Sequence, residues 1–596
     1  MKELLYPFDS AYLLKNRKKI RRELLSDKIE RIHKKIAVLG GSTTNDIVSM
    51  LDLFLLDKGI ECEFYQSEYA EYWQDAMFDN RELAEFKPDI IFIHTTSRNL
   101  ADFEFNMSLD KADIDNMLQK QYHHFESMWE HLSEVYDCPV IQNNFELPYY
   151  RTLGNRECWD IHGRINFISR LNLMFYEYAA EHDSFYINDI NFISSAYGLD
   201  RWAEPKYWYM YKYALSTHAI PDFSFNLSNI IKSIFGKNKK ALALDLDNTL
   251  WGGVIGDDSV EGIEIGHETA EGEAYLAFQN YIKEQTQLGV ILTVSSKNDE
   301  ENAIAGLNHP DSVLKPDEFA VIKANWNPKD VNVRNIASEL NILPESIVFA
   351  DDNPAEREIV SRQLGCDAPE MDLPDEYIKM MDRNGFFEVT AFSADDMSRN
   401  EMYKANAKRR QVQEKFSDYD DYLRNLEMTA VIEDFQPVYI QRITQLINKS
   451  NQFNLTTKRY TQTEIEEVYK SSEYIELYSR LCDKFGDNGI VSVVIGKINK
   501  NELHIDLWLM SCRVLKRNME YAMLDALADE CRLKNIDTIY GYYYKTKKNN
   551  MVSGLYRDFG FENLSLSENG DSVWKLDIKN YKHKNNIIKV NEGAKL

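Results

Sequence analysis

Cysteine is scarce and scattered. The 596 residues carry seven, Cys62, Cys138, Cys158, Cys366, Cys482, Cys512 and Cys531, with no Cys-x-x-Cys pair. An odd, unpaired set excludes a disulfide framework or a structural zinc site as the organising device, and reduced thiols in a cytoplasmic protein are expected. Long apolar runs are also missing: no stretch reaches the roughly 18 apolar residues of a membrane-spanning helix, so no membrane association is expected. The opening MKELLYPFDSAYLLKNRKKIRRELL lacks the apolar core and small-residue cleavage site of a secretory leader. Positive charge is in short supply. Lys and Arg number 69 against 96 Asp and Glu, a formal net charge of −27. That balance argues against duplex nucleic acid as a partner but leaves small phosphorylated substrates open, because local features capture those. The length exceeds a single core, so three or four domains are expected.

What is present centres on residues 241–253, ALALDLDNTLWGG. A short apolar run ending in polar residues and then glycines reads as a buried strand opening into a loop. In a parallel α/β sheet that end is where ligands sit. Asp245 and Asp247, two apart, can divide the work of nucleophile and general acid/base. Neither works against an anionic phosphate without a cation, so Mg²⁺ is implied. Three later strings follow the same plan. GVILTVSSKND (289–299) is a strand ending in hydroxyls, Asn327-Pro328-Lys329-Asp330 precedes a helix, and SIVFADDNPAERE (346–358) is a strand closed by Asp351 and Asp352. Phosphoryl transfer through an aspartyl-phosphate needs these parts. Asp245 would attack phosphorus, and Asp247 would protonate the leaving oxygen. Ser296 would donate to a non-bridging oxygen, Lys329 would hold Asp245 ionised, and Asp351 or Asp352 would complete a metal site with Asp245 and Asp247. Asn248, Thr249, Trp251, Gly252, Lys297 and Asn298 are the candidate substrate contacts.

Around this core, residues 1–235 read as an N-terminal α/β domain with a parallel sheet, led in by an amphipathic helix. Its strands are expected at KIAVLG, ECEFYQSEY, PDIIFIHTT, VIQNNFELP (140–148) and SFYINDINFISS (184–195), with candidate site residues Ser42, Thr43, Thr44, Thr95 and Asn143. Gly41-Ser42 resembles the serine loop of SGNH hydrolases. No Asp-x-x-His follows to supply a base, so a binding or docking role is expected rather than hydrolysis. Residues 236–390 form the second domain, where WGGVIGDDSVEGIEIG suggests a short flap or hairpin. Residues 391–429 read as a charged linker helix, with Lys408-Arg409-Arg410 on a solvated face. Residues 430–582 form a mixed α/β domain and 583–596 a polar tail.

LDLDNTLWGGVIGDD, SSKND, NWNPKDVN and FADDNPAERE resemble the FkbH-like family of the haloacid dehalogenase (HAD) superfamily. So do DDMSRNEMY (395–403), NQFNLTTKRY, DKFGDNGIVSVV and SCRVLKRNME further on. The resemblance implies an SGNH/flavodoxin-like N-terminal sheet, a HAD Rossmann-like domain with minimal cap and a C-terminal GNAT-like domain. It implies an enzyme that dephosphorylates 1,3-bisphosphoglycerate and loads a glyceryl group onto a separate acyl carrier protein through an enzyme thioester, in polyketide or polysaccharide biosynthesis. Many members read Cys-Ser-Lys-Asn where this chain has Ser295-Ser296-Lys297-Asn298; the remaining thiol in a family-like string is Cys512. Without the cysteine, a plain phosphatase acting on a sugar phosphate or phosphoglycerate is the alternative, and a vestigial scaffold a third. The last domain has CRVLKRNME, without glycine, where GNAT proteins cradle a pyrophosphate, so a partner-holding role is expected there. Asn549 and Tyr556 match that fold's usual positions loosely.

Overall fold

The computed structural model describes residues 1–27, 29, 31–391, 402, 403, 405, 406, 409, 412, 413, 415–450, 452–511, 514–546 and 548–591. The chain divides into two compact units, Met1–Lys237 with Arg383–Ala391, and Asn238–Asp382 with the described residues beyond 391.

The first unit is built on a fully parallel sheet of β1 (Ile32–Gly40), β2 (Ile60–Gln66), β3 (Ile90–His94), β4 (Val140–Asn143) and β5 (Phe185–Asn188), in the order β2-β1-β3-β4-β5. Alternation along each strand sends side chains to two cores. Ile36, Val38, Ile90 and Phe92 join Leu51, Phe54, Phe223 and Ile231 on one face, while Ala37, Leu39, Ile91 and Ile93 join Phe125, Trp129 and Phe175 on the other. The second half of SFYINDINFISS is not strand. Asp189 accepts the Phe192 N–H as a cap and turns Ile190–Tyr197 into a helix, whose Ile190 and Ile193 face the core.

In the second unit, β6 (Ala241–Leu244), β7 (Ile291–Ser296), β8 (Val321–Ala324) and β9 (Ile347–Ala350) form a parallel sheet in the order β8-β7-β6-β9. After β6 the glycine-rich stretch is a flap carrying a short helix, α1 (Ile255–Gly262), broken at Ser259 with φ 64°. Gly252 and Glu264 exchange two backbone hydrogen bonds of 2.9 Å across its base. The helix α2 (Ala270–Gln287) follows, then α3 (Glu300–Leu307) after β7 and α4 (Lys329–Leu340) after β8. The same unit carries an eight-stranded mixed sheet, mostly antiparallel, in which Glu502–Met510 and Thr538–Tyr543 pair in parallel. Asn549 is buried beside it, its Nδ2 donating to the carbonyls of Asn454 and Tyr544. Arg409 is not on a solvated face. It is buried, and its guanidinium donates to both oxygens of Asp483 at 2.8 and 2.7 Å, a charge match that outweighs exposure. Lys408, Arg410 and Cys512 lie outside the described residues. No helix among the described residues is long and apolar enough to cross a membrane.

Candidate active site

Strand order reverses at β6: β7 and β8 lie to one side of it and β9 to the other. A crevice opens beyond the carboxyl ends of strands at such a reversal. Asp245 directly follows β6 and Asp351 directly follows β9. Lys329, the first residue of α4, places its Nζ 2.8 Å from Asp245 Oδ2 and 2.5 Å from Asp351 Oδ2, and all three side chains are buried. Burial works against the Lys329 charge, but Asp245 and Asp351 overcome it and push its pKa up. Burial, then the Asp245 charge, raises Asp351 to about 7 and moves Asp352 upward as well.

One oxygen each of Asp245, Asp351 and Asp352 lies within 4.8 Å of the others. Among the described residues the cluster thus sets three carboxylates against the Lys329 ammonium, which pairs with Asp245 and Asp351, and the Arg357 guanidinium beside Asp352. Asp245 Oδ1 is buried with no hydrogen-bond partner among the described residues, an arrangement that costs free energy unless something else satisfies it. An oxygen-only donor set with surplus negative charge fits a hard divalent cation, which Asp245, Asp351 and Asp352 would hold.

The Asp247 side chain stands apart from this cluster. Its Oδ1 accepts from Trp251 Nε1 at 2.9 Å and the Ile255 N–H at 3.2 Å, and its Oδ2 from Asn298 Nδ2 at 3.0 Å. Burial raises its pKa, opposed by the Ile255 and Trp251 bonds, which suits a carboxyl that must hold and release a proton. The neighbouring residues build the loop. Asn248 is left-handed at φ 55°, and its Oδ1 accepts the Gly253 N–H. Thr249 Oγ1 accepts the Asp352 N–H at 3.2 Å, tying the β6 and β9 loops together. The buried Trp251 indole rests on Gly306 of α3, where a Cβ would stand 2.7 Å from its ring and 2.8 Å from Ile255 Cδ1. Gly252 packs against the Tyr275 ring. Ser296 is buried at the end of β7, and the more exposed Lys297 pairs with Glu356 at 2.5 Å. Ser295 is fully buried, its Oγ without a partner among the described residues.

In the first unit the strand-end residues form a different network around His94, which sequence reasoning passed over inside IFIHTT. His94 is fully buried, with Nε2 3.0 Å from Ser42 Oγ and Nδ1 3.0 Å from Asn143 Nδ2. Asn143 Nδ2 also donates to the Thr95 carbonyl, and its Oδ1 accepts from Asn188 Nδ2. Flipping that amide would face oxygen to oxygen at Thr95 and nitrogen to nitrogen at Asn188, so Nδ2 must donate to His94 Nδ1. The imidazole proton therefore sits on Nε2 and is donated to Ser42. A base that activates a serine must accept there, so the pair is not wired as nucleophile and base. Thr43 binds backbone, its Oγ1 donating to the Tyr211 carbonyl, and Thr44 Oγ1 donates to Gln66.

Residues 35–232 match the family model described as FkbH, N-terminal domain. No curated protein matches the chain. Among solved structures, the N-terminal part of a Bacteroides fragilis protein, containing a phosphatase domain and complexed with Mg, is 28% identical with a TM-score of 0.58. That match covers 63% of this chain and 99% of that one. Ard1 of Thermoplasma volcanium (18% identical, TM-score 0.20) covers 25% of this chain and 97% of its own. An N-acetyltransferase of Thermoplasma acidophilum (13% identical, TM-score 0.19) covers 25% and 99%. Likenesses so slight carry no argument.

Proposed function

We propose that the second unit is an Mg²⁺-dependent phosphatase of the HAD type, FkbH-like, working through an aspartyl-phosphate. The observation that carries this is Asp245 Oδ1, a buried carboxylate oxygen with no donor among the described residues, in an acid-rich cluster held by Lys329. The Bacteroides neighbour, with its phosphatase domain and Mg, supports it. Asp245 attacks phosphorus and forms a P–O bond as the bond to the leaving oxygen breaks. Asp247 gives that oxygen its proton, then takes one from the water that attacks the aspartyl-phosphate, releasing phosphate and restoring Asp245. Lys329, paired with Asp245, balances charge developing on the phosphoryl oxygens. Mg²⁺ held by Asp245, Asp351 and Asp352 would supply the remaining charge neutralisation.

The family resemblance extends the proposal. The substrate is a small acyl phosphate, 1,3-bisphosphoglycerate first: a thiol attacks its acyl carbon and expels the C1 phosphate, Asp245 takes the phosphoryl group from the C3 oxygen, and the glyceryl group passes as a thioester to a separate acyl carrier protein in the cytoplasm. The N-terminal unit would be SGNH-like in fold but a binding module, and the mixed sheet a GNAT-like docking domain. One residue favours a second reading, a plain phosphatase for a sugar phosphate or phosphoglycerate. Ser295 stands where the family's cysteine would, and a buried hydroxyl with no hydrogen-bonded base among the described residues is a poor acyl carrier.

The test is phosphate release with Mg²⁺ from freshly made 1,3-bisphosphoglycerate, beside the intact mass of the protein. Catalysed release with a glyceryl adduct supports transfer. Release without an adduct leaves the phosphatase. No Mg²⁺-dependent, Asp245-dependent release from acyl or sugar phosphates overturns the proposal.

A further inference from the structure

Trp326 is 71% exposed, in the loop between β8 and Lys329. An isolated exposed apolar side chain needs no explanation. This one is held in place. Its indole Nε1 donates to Asp299 Oδ1 at 3.0 Å, and Asp299 follows Asn298, whose amide holds Asp247. On the other side, the Asn325 N–H donates to the Ser296 carbonyl at 3.1 Å, and Asn325 Oδ1 accepts from Asn332 Nδ2 at 3.0 Å. The indole is thus fixed between the loop that carries Ser296 and Asn298 and the helix that begins at Lys329. Orientation is set by a hydrogen bond while the ring surface is left to water.

We infer that Trp326 is the platform on which the leaving group of the phosphorylated substrate stacks, and that this group is a sugar ring. The inference rests on the phosphatase reading above and favours its second substrate class. The face of an indole carries negative charge density, and the C–H face of a pyranose is polarised positive, so the two attract when stacked. The exposed Asp299 carboxylate beside the ring accepts sugar hydroxyls. Lys297, next to it in sequence, is already paired with Glu356, so this rim is poorly suited to a second phosphate on the leaving group.

The experiment uses the full chain with MgCl₂ and three substrates: glucose 6-phosphate, adenosine monophosphate, and acetyl phosphate, which has no ring. Trp326→Ala is expected to raise KM for glucose 6-phosphate about fivefold at near-constant kcat. Turnover of acetyl phosphate should stay within about twofold, and Trp326→Phe, which keeps a ring face, should restore most of the KM. Equal losses on glucose 6-phosphate and acetyl phosphate would mean the indole only supports the loop and would overturn the inference. So would wild-type turnover of acetyl phosphate without glucose 6-phosphate, or a Trp326-dependent preference for the nucleotide. Both outcomes leave the aspartyl-phosphate chemistry standing. Wild-type protein inactive on all three substrates would overturn the platform, and the phosphatase reading would then be decided separately by Mg²⁺-dependent release from 1,3-bisphosphoglycerate.

Discussion

At the strand ends of the first unit, Ser42, His94, Asn143, Asn188 and Asn226 form a neutral chain linked by hydrogen bonds from each residue to the next. At the reversal of the second unit, three carboxylates cluster, two of them paired with one lysine, and Asp245 Oδ1 has no donor among the described residues. The architecture is alike in the two places, parallel strands ending at a switch point. What differs is whether the polar groups close on themselves. A largely satisfied, neutral network gives rigidity and leaves no unbalanced charge to attract an ion. An unsatisfied, charge-unbalanced one costs stability until a ligand or ion completes it, and it is where chemistry is expected.

The sharpest break of this contrast is a pair of variants. Asp245→Asn should reduce Mg²⁺-dependent phosphate release by about 10³-fold or more, since the nucleophile is lost, whereas Ser42→Ala should leave release unchanged; steady-state phosphate assays on both decide it. Lys329→Met comes next. It leaves Asp245 and Asp351 buried without their ammonium and should cost about 3 kcal/mol of stability in urea unfolding. Mg²⁺ should raise the melting temperature of that variant more than that of the wild type, because the ion supplies the missing positive charge.

The first unit has its own prediction. Burial lowers the His94 pKa to about 4 when folded, against 6.5 when unfolded. Between those values the unfolded chain takes up a proton that the folded one refuses. Stability is therefore intact above pH 6.5 and falls as pH drops towards 4, by up to about 3 kcal/mol. His94→Gln should flatten that slope, as read from urea midpoints at pH 7.5 and 5. The smallest effect is expected from Trp251→Phe, which removes one donor to Asp247. It should lower kcat about five- to tenfold with KM unchanged, measured under saturating Mg²⁺.

The parallel sheets were legible because short apolar runs such as ALAL, IIFI and IVFA announce strands buried on both faces, and the acids and hydroxyls at their ends announce themselves by position. Asp245, Lys329, Asp351 and Asp352 were named from those ends, and the structure brings them together. Other features depend on partners far along the chain. Nothing in IFIHTT says that His94 will meet Ser42, 52 residues away, or Asn143, 49 away. Arg409, in a run of basic residues, looks solvated until Asp483, 74 residues on, folds against it. Ile190–Tyr197 kept a strand's apolar content, and only the Asp189 cap distinguished it as helix. The Trp251 bond to Asp247 spans four residues and was within reach of a local reading, yet Trp251 stood only as a substrate contact.

Gly306 gives the flap a sensitivity that no inspection of the reacting groups would reveal. It has no functional group, yet a methyl there would press on Trp251 and Ile255 together, the two flap residues that grip Asp247. Anyone ranking natural variants or choosing positions for a mutational library would pass over a helical glycine, where alanine usually helps. In this protein Gly306→Ala belongs with the damaging changes, and a screen that scores activity separately from abundance would place it there.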